Sequence, residues 1–382
     1  MPVDSPVRID VDFPGGNGHI DAGADGVVVI RPDLRDTEGD WFYWAVRVRG
    51  AEGRTLRFHV PGSGGLSAAG PGVSPDGFDW RWLGTAKTPG VFEYSFGPRE
   101  TCVYFSMACL YTRRHLDAFM QARPESGDRL RREPWSEAGE PGQPAEYLRF
   151  GRLDGRAEHR VLLAARHHAC EMMANYVLEG VIDGALGSSD FIGRGIEALA
   201  IPFVDPAGVE AGDQGKNRRP HDHNRDYFDL RYAVPRALAT WGAPFLSTRG
   251  GFRLALDLHD PYIAGGPDQH AVYLLGSSIP RQWERLTAFS NLLERAATGP
   301  VVYTASDNLP FGQSWNVAET GHLRNFMEWA QTDGGAELAS VLEYPYALIK
   351  DRPALPEDAR LFGRDLAAAI ADWCLLPPSA RA

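Results

Sequence analysis

Val161-Leu162-Leu163-Ala164-Ala165-Arg166-His167-His168-Ala169-Cys170-Glu171 is the stretch whose reading decides the fold. Its first five residues form an apolar run flanked by charge, which reads as a buried strand. The continuation from Met172 to Gly180 is rich in helix formers, with apolar residues near helical spacing. His168 and Glu171 therefore fall where a strand ends and a helix begins. That is the edge of a sheet at which open α/β folds collect their ligands. An imidazole and a carboxylate three residues apart converge on one ion if the backbone turns between them, and zinc accepts both. The pattern is weak by itself, because many surface helices carry H-x-x-E by chance. Cys170, inside the motif, reads either as a soft ligand or as a small buried residue.

Outward from this stretch, the second half of the chain alternates strands and helices. Expected strands are Val161–Ala165, Ile196–Phe203, Phe252–Leu258, Ala271–Leu275, Val301–Thr304 and Leu338–Leu342. Expected helices are Glu171–Asp183, Tyr227–Thr240, Pro280–Ala297, Ala318–Gln331 and Pro356–Trp373. This order predicts an α/β sheet covered by helices on both faces. Residues 1–122 differ in character. Short β-branched and aromatic runs such as Val7–Val11, Val27–Ile30, Trp41–Val48 and Thr55–Val60 alternate with Gly-Gly, Pro-Gly and Asp-Gly turns. Further strands are expected at 78–83, 92–96 and 102–107, followed by a helix over 116–122. Many short strands with regular turns predict an antiparallel β-sandwich domain. No cluster of ionisable groups marks it, so it reads as a packing or recognition module. Residues 123–143 are rich in Pro, Gly, Arg and Glu, and predict a linker or long loop before a domain spanning 144–382.

Composition bounds the function. At 382 residues, with 43% hydrophobic and 23% charged residues, the chain suffices for two ordinary globular domains. A formal net charge of −11 and no basic patch argue against a nucleic-acid partner. No apolar stretch approaches the roughly 20 residues that span a bilayer, so no membrane partner is expected. Met1–Pro6 shows no cationic segment followed by an apolar run, so no signal peptide is visible. Cys102, Cys109, Cys170 and Cys374 show no C-x-x-C pairing and read as reduced thiols. Together these predict a cytoplasmic protein.

Three further strand ends carry reactive groups. After Val204 comes a long Gly-rich polar loop that includes Lys216, Arg218, Arg219, His221, His223, Asn224 and Arg225. Loops of this length are uncommon unless they bind or catalyse. Arg225 offers a planar fork suited to a carboxylate, with the Asn224 amide beside it. His221 and His223 invite a metal reading, but in an extended chain they point to opposite sides. Arg219 reads as a solvated loop face. His259 closes the apolar strand Leu256–Leu258 before Pro261, where it serves as a ligand or as a hydrogen-bonded core residue; His270 is a weaker competitor. Glu343 closes Val341–Leu342, and a carboxylate at the end of a buried strand is costly unless paired or functional.

The order of these pieces resembles the zinc carboxypeptidases, most closely the cytosolic carboxypeptidase branch and its bacterial relatives. In that family R-x-H-x-x-E follows a strand, then come N-P-D-G, D-x-N-R, a strand ending in His, and a late Glu. The counterparts here are Arg166–Glu171, Asp205-Pro206-Ala207-Gly208-Val209, Asp222-His223-Asn224-Arg225, Asp257-Leu258-His259 and Leu342-Glu343. Trp41–Trp44, Val103–Ser106 and Leu110–Thr112 are similar to the β-sandwich that precedes the catalytic domain in that branch. The likeness covers most of the chain, and its five-part order is specific where no single part is.

The resemblance implies an α/β/α carboxypeptidase-type domain with a mixed central sheet. It implies one zinc ion per chain, held by His168, Glu171 and His259. A His₂Glu set with an open position is the known carboxypeptidase arrangement, so the set comes from the likeness and not from spacing. It further implies Glu343 as the proton acceptor, and Asn224 and Arg225 as the clamp on a substrate's terminal carboxylate. The partner would be the carboxyl-terminal tail of a peptide or protein. The family's oxyanion-stabilising Arg aligns with Gly215, leaving Lys216 or Arg218 to supply that cation, Lys216 being favoured. Ala207 replaces the usual Asp, and Tyr344-Pro345-Tyr346 departs from what usually follows the catalytic Glu. Two other readings stand beside a metallocarboxypeptidase: a zinc deacylase of small N-acyl amino acids, and a metal-free binding protein on the same fold.

Overall fold

The computed structural model describes residues 6–62, 64–85, 87–140, 143–247, 251–263, 267–318 and 323–377. Its amino-terminal strands are β1 (Arg8–Asp10), β2 (His19–Ala22), β3 (Val28–Arg31), β4 (Ala45–Arg49), β5 (Thr55–His59), β6 (Gly72–Ser74), β7 (Arg81–Trp82), β8 (Val91–Ser95) and β9 (Cys102–Ser106). They form two sheets, ordered β1-β4-β9-β6-β7 and β2-β3-β5-β8. Residues along β8 alternate between buried Phe92 and Tyr94 and exposed Glu93 and Ser95, the signature of a half-buried strand. The inner faces meet through aromatic rings. Phe58 stacks on Phe92 at 4.7 Å, and Phe105 of the opposite sheet lies 5.3 Å from Phe58. The predicted sandwich is present, but it is not wholly antiparallel, because β3 and β5 pair in parallel. β4 intervenes in the other sheet and returns the chain to the end from which β3 started.

Helix α1 (Arg113–Gln121) follows, with Thr112 and His115 forming a reciprocal cap. The stretch expected as a linker holds instead a strand, β10 (Leu130–Glu140), paired antiparallel with β11 (Gln143–Gly151). β10 is the edge of a seven-stranded sheet, and edge strands carry charge to block unwanted pairing. Its charges are matched across the ladder: the Arg132 guanidinium donates to both Glu146 oxygens at 2.6 and 2.7 Å. Low apolar content therefore marked an edge and not a loop.

The remaining elements are β12 (His159–Ala165), α2 (Met173–Gly187), α3 (Ser189–Gly193), β13 (Ile196–Ile201), α4 (Pro206–Ala211), α5 (Ala233–Ser247), β14 (Leu254–His259), β15 (Tyr273–Leu274), α6 (Pro280–Ala296), α7 (Phe326–Gln331), β16 (Leu338–Glu343), the hairpin β17 (Leu348–Ile349) and β18 (Arg352–Pro353), and α8 (Pro356–Leu375). The sheet runs β10-β11-β13-β12-β14-β16-β15, with the four strands from β13 to β16 parallel and the flanking strands antiparallel. Helices α2, α6 and α8 cover one face, and α5 and α7 the other. No helix among the described residues is long and apolar enough to cross a membrane.

Three expected elements differ. α5 starts at Ala233 and not Tyr227, because the Asp226 carboxylate accepts from the Arg231 and Tyr232 amides and folds the intervening chain around itself. Val301–Thr304 stays outside the ladder, although Val301 and Tyr303 are buried. Of Ala318–Gln331, the helix covers Phe326–Gln331, and residues 319–322 lie outside the described residues.

α2 and α8 pack at glycine contacts. A Cβ at Gly180 would come 2.1 Å from the Arg360 carbonyl oxygen, and one at Gly363 2.2 Å from that of Val177. Gly363→Ala is accordingly expected to lower stability by about 1–3 kcal/mol in chemical denaturation. Unchanged stability would mean that the two helices stand further apart.

Candidate metal centre

Strand order positions the site. From β12 the chain crosses to β13 on one side, then returns to β14 on the other. Such a reversal opens a crevice beyond the carboxyl ends of the strands. His168 follows β12, and His259 ends β14, its parallel neighbour. Arg166 supplies the turn between strand and motif, with φ at +65° in the left-handed region that side chains rarely adopt. Its buried guanidinium holds that turn by donating to the Tyr111 carbonyl and to Asn175 Oδ1, each at 2.8 Å, and to the Ala169 carbonyl.

Three donors converge there. His168 Nδ1 lies 2.9 Å from Glu171 Oε1, and His259 Nδ1 lies 2.7 Å from Glu171 Oε2. One ligand atom from each of the three residues falls within 4.8 Å of the others. The distal nitrogens face carboxylates: His259 Nε2 is 2.7 Å from Asp257 Oδ2, and His168 Nε2 is 3.6 Å from Asp222 Oδ1. This is how ligating imidazoles are usually oriented, with Nδ1 left to the ion. Glu171 Oε2 is buried, and its contact with His259 Nδ1 lacks hydrogen-bond geometry. A buried carboxylate with an imidazole nitrogen against each oxygen fits a divalent cation, and this donor set suits zinc.

A second cluster, His167, Asp257 and His259, also has metal-ligand spacing. Its imidazole is already engaged on both sides: His167 Nδ1 is 2.7 Å from Asp257 Oδ1, and Nε2 is 2.8 Å from the Tyr227 hydroxyl. With no nitrogen left over, His167 serves better as a support behind His259, whose ring lies parallel to it at 5.8 Å. Asp260 ties the two ligand-bearing segments together by accepting from the Met173 and Ala174 amides at 2.8 and 2.9 Å.

Charge is balanced tightly. Burial works to raise the Glu171 carboxyl, but His168, Lys216 and His259 hold it well below the ordinary range. Burial works against a charged His259, but Asp257 and Glu171 on its two nitrogens hold it well above the usual imidazole range. Glu343 faces His259 across the β14–β16 ladder. Burial, with the neighbouring Glu171 charge adding to it, pushes the Glu343 carboxyl up to about 7. Its Oε2 is likewise buried and unpartnered among the described residues.

His168, Lys216, Asn224, Arg225, His259 and Glu343 line one cleft of about 460 Å³. The Lys216 ammonium contacts Glu171 Oε1. Arg218 is not among the lining residues; its guanidinium is bound by Asp36 and Asp213 at 2.7 Å and by Asp205. Asn224 Oδ1 accepts from the Phe326 amide at 3.1 Å, and Arg225 Nη1 is 3.9 Å from Asp222 Oδ1. The other candidates lie apart. His221 pairs with Asp226 at 2.7 Å, and His223 stacks on Tyr232 at 3.8 Å. His270 borders a neighbouring cavity of about 420 Å³. The Cys170 thiol is buried, 3.4 Å from the Tyr346 hydroxyl, which is the small-residue reading.

Asp257 and Asp222 stand in the quoted motifs, but the sequence assigned them no role. Each precedes a site residue by two positions, Asp257 before His259 and Asp222 before Asn224. On a strand that spacing puts both side chains on one face, which marks Asp257 as a support for His259.

No family model matches the chain. It is 27% identical to an uncharacterised protein of Zymomonas mobilis, over 96% of each chain. Among solved structures it is similar to a metallo-carboxypeptidase from Burkholderia cenocepacia, with a TM-score of 0.73 and 18% identity over 96% of this chain and 99% of that one. It is also similar to a metallo-carboxypeptidase from Pseudomonas aeruginosa in complex with (2-guanidinoethylmercapto)succinic acid. There the TM-score is 0.74, with 19% identity over 96% and 98% of the two chains. The chain therefore has the metallo-carboxypeptidase fold, and the likeness includes its amino-terminal sheets.

Elemental analysis after dialysis against zinc discriminates the two clusters. One equivalent is expected to survive His167→Gln and to be lost with His168→Gln. The reverse pattern would assign the ion to His167 and Asp257.

Proposed function

We propose that the chain is a zinc-dependent metallocarboxypeptidase that removes the last residue of a peptide or protein tail. One observation carries this reading: His168, Glu171 and His259 converge beside Glu343 in a cleft that also holds Asn224 and Arg225. Bound by the three donors, a zinc ion would lower the pKa of water from about 15.7 to about 7 and polarise the scissile carbonyl. Asn224 and Arg225 hold the substrate's terminal carboxylate, so the cleaved bond is counted from the chain end. Glu343 takes the proton of the attacking water and passes it to the leaving amine as the C–N bond breaks. Lys216 offers positive charge to the oxygen anion that develops on the carbonyl. The four cysteines are free thiols, which suits the cytoplasmic location we assign.

Peptides differing only in a free or amidated end test the reading, with released amino acid detected by mass spectrometry. The free forms are expected to lose one residue and the amidated forms none; equal cleavage of both would contradict an exopeptidase. Glu343→Gln is expected to lower kcat by about 10³-fold while zinc stays bound. Because the base must be ionised, kcat/KM should fall as pH drops. The midpoint should lie at or below about 7, since burial raises Glu343 to about that value and the ion's charge lowers it again.

A further inference from the structure

We propose that the segment joining β3 to β4 is part of the catalytic centre, with the Trp41 ring as a positioning residue for Lys216; this rests on Lys216 being the cation of the proposed reaction. The segment containing Trp41 runs antiparallel to the segment containing Lys216. Thr37 bridges Arg218, and the Glu38 amide donates to the Asn217 carbonyl at 3.1 Å. At the other end, the Tyr43 amide donates to Gln214 Oε1, and Gln214 Nε2 donates back to the Tyr43 carbonyl, both at 2.8 Å. Between these two clasps the Lys216 ammonium lies 5.6 Å from the centre of the Trp41 ring.

The loop is pressed against the metal motif from the same side. The Cys170 amide donates to the Gln214 carbonyl at 3.2 Å. Gly215, at φ +75°, approaches so closely that a Cβ there would lie 2.2 Å from the Ala169 nitrogen. A glycine is required at that position on both counts. The amino-terminal segment thus sets how deep Lys216 reaches.

Trp41 is itself fixed. Its indole nitrogen donates to the Glu38 carbonyl at 2.9 Å, and its ring meets Tyr262 edge-on at 6.0 Å. It lines the cleft together with Lys216. A lysine carries its charge on a flexible four-carbon stem, so an ammonium in a cleft needs a second contact to stay in one place. Glu171 Oε1 supplies one contact, and a second carboxylate there would leave the ammonium no net charge to offer. An aromatic face attracts the ammonium through its quadrupole and leaves the charge available to a substrate oxygen.

The test uses the full zinc-loaded chain, with Trp41→Ala, Trp41→Leu, Trp41→Phe and Lys216→Met singly, and Trp41→Ala combined with Lys216→Met. Trp41→Ala and Trp41→Leu should lower kcat by about tenfold with KM within about twofold, and Trp41→Phe should recover most of the loss. On the Lys216→Met background, Trp41→Ala should change kcat by less than about twofold. A tenfold loss in both backgrounds, or full activity with Trp41→Leu, would overturn the proposal. A second readout needs no turnover: reductive methylation of the metal-free chain, whose lysines are Lys87, Lys216 and Lys350. Trp41→Ala should speed labelling of Lys216 relative to the other two, and an unchanged ratio would overturn the assignment. If the unaltered chain releases no residue from any peptide, the carboxypeptidase reading fails, while the labelling ratio still decides whether Trp41 holds Lys216.

Discussion

A fully buried carboxylate, Glu171, is the constraint on which the rest of the site depends. Buried charge is tolerated only when it is closely compensated. Here two imidazoles and an ammonium supply the compensation, each brought from a different part of the chain. The imidazoles are in turn backed by Asp222 and Asp257, so the compensation extends one layer outward.

That requirement explains local features that are otherwise expensive. Arg166 adopts a left-handed backbone conformation with its guanidinium fully enclosed, because the chain must reverse between β12 and the Glu171 segment. Asp260 spends both oxygens on the first amides of α2, which locks the end of β14 to the start of the helix that follows Glu171. The register of β14 with β16 then places Glu343 opposite His259 without any further device. Glu343 is pushed upward where Glu171 is held down, because the positive groups converge on Glu171 first. Two neighbouring buried carboxylates thereby acquire different protonation behaviour, as the proposed roles of ligand and base require.

The α/β order and the strand ends were legible because buried parallel strands are apolar runs and their ends carry polar residues at fixed places. Val161–Ala165 followed by His168 and Glu171 needed no more than that. The edge strand β10 was not legible, since the charges that protect an edge look like those of a loop. The parallel pairing of β3 with β5 was equally hidden, because it depends on which sheet β4 joins. At the site, the choice between Lys216 and Arg218 could not be made from spacing. The Arg218 guanidinium is enclosed by Asp36, Asp205 and Asp213 while Lys216 lines the cleft, and Asp36 lies 182 residues from Arg218 in the chain. Trp41 entered the resemblance only as part of the Trp41–Trp44 run, and nothing in its surroundings announces a contact with a loop about 175 residues away.

The account is tested most directly by anomalous diffraction at the zinc edge from crystals grown with one equivalent of the metal. A single peak is expected about 2.0–2.2 Å from His168 Nδ1, His259 Nδ1 and a Glu171 oxygen, with one coordination position open toward Glu343. A peak bounded by His167 and Asp257, or none within reach of Glu171, would contradict it.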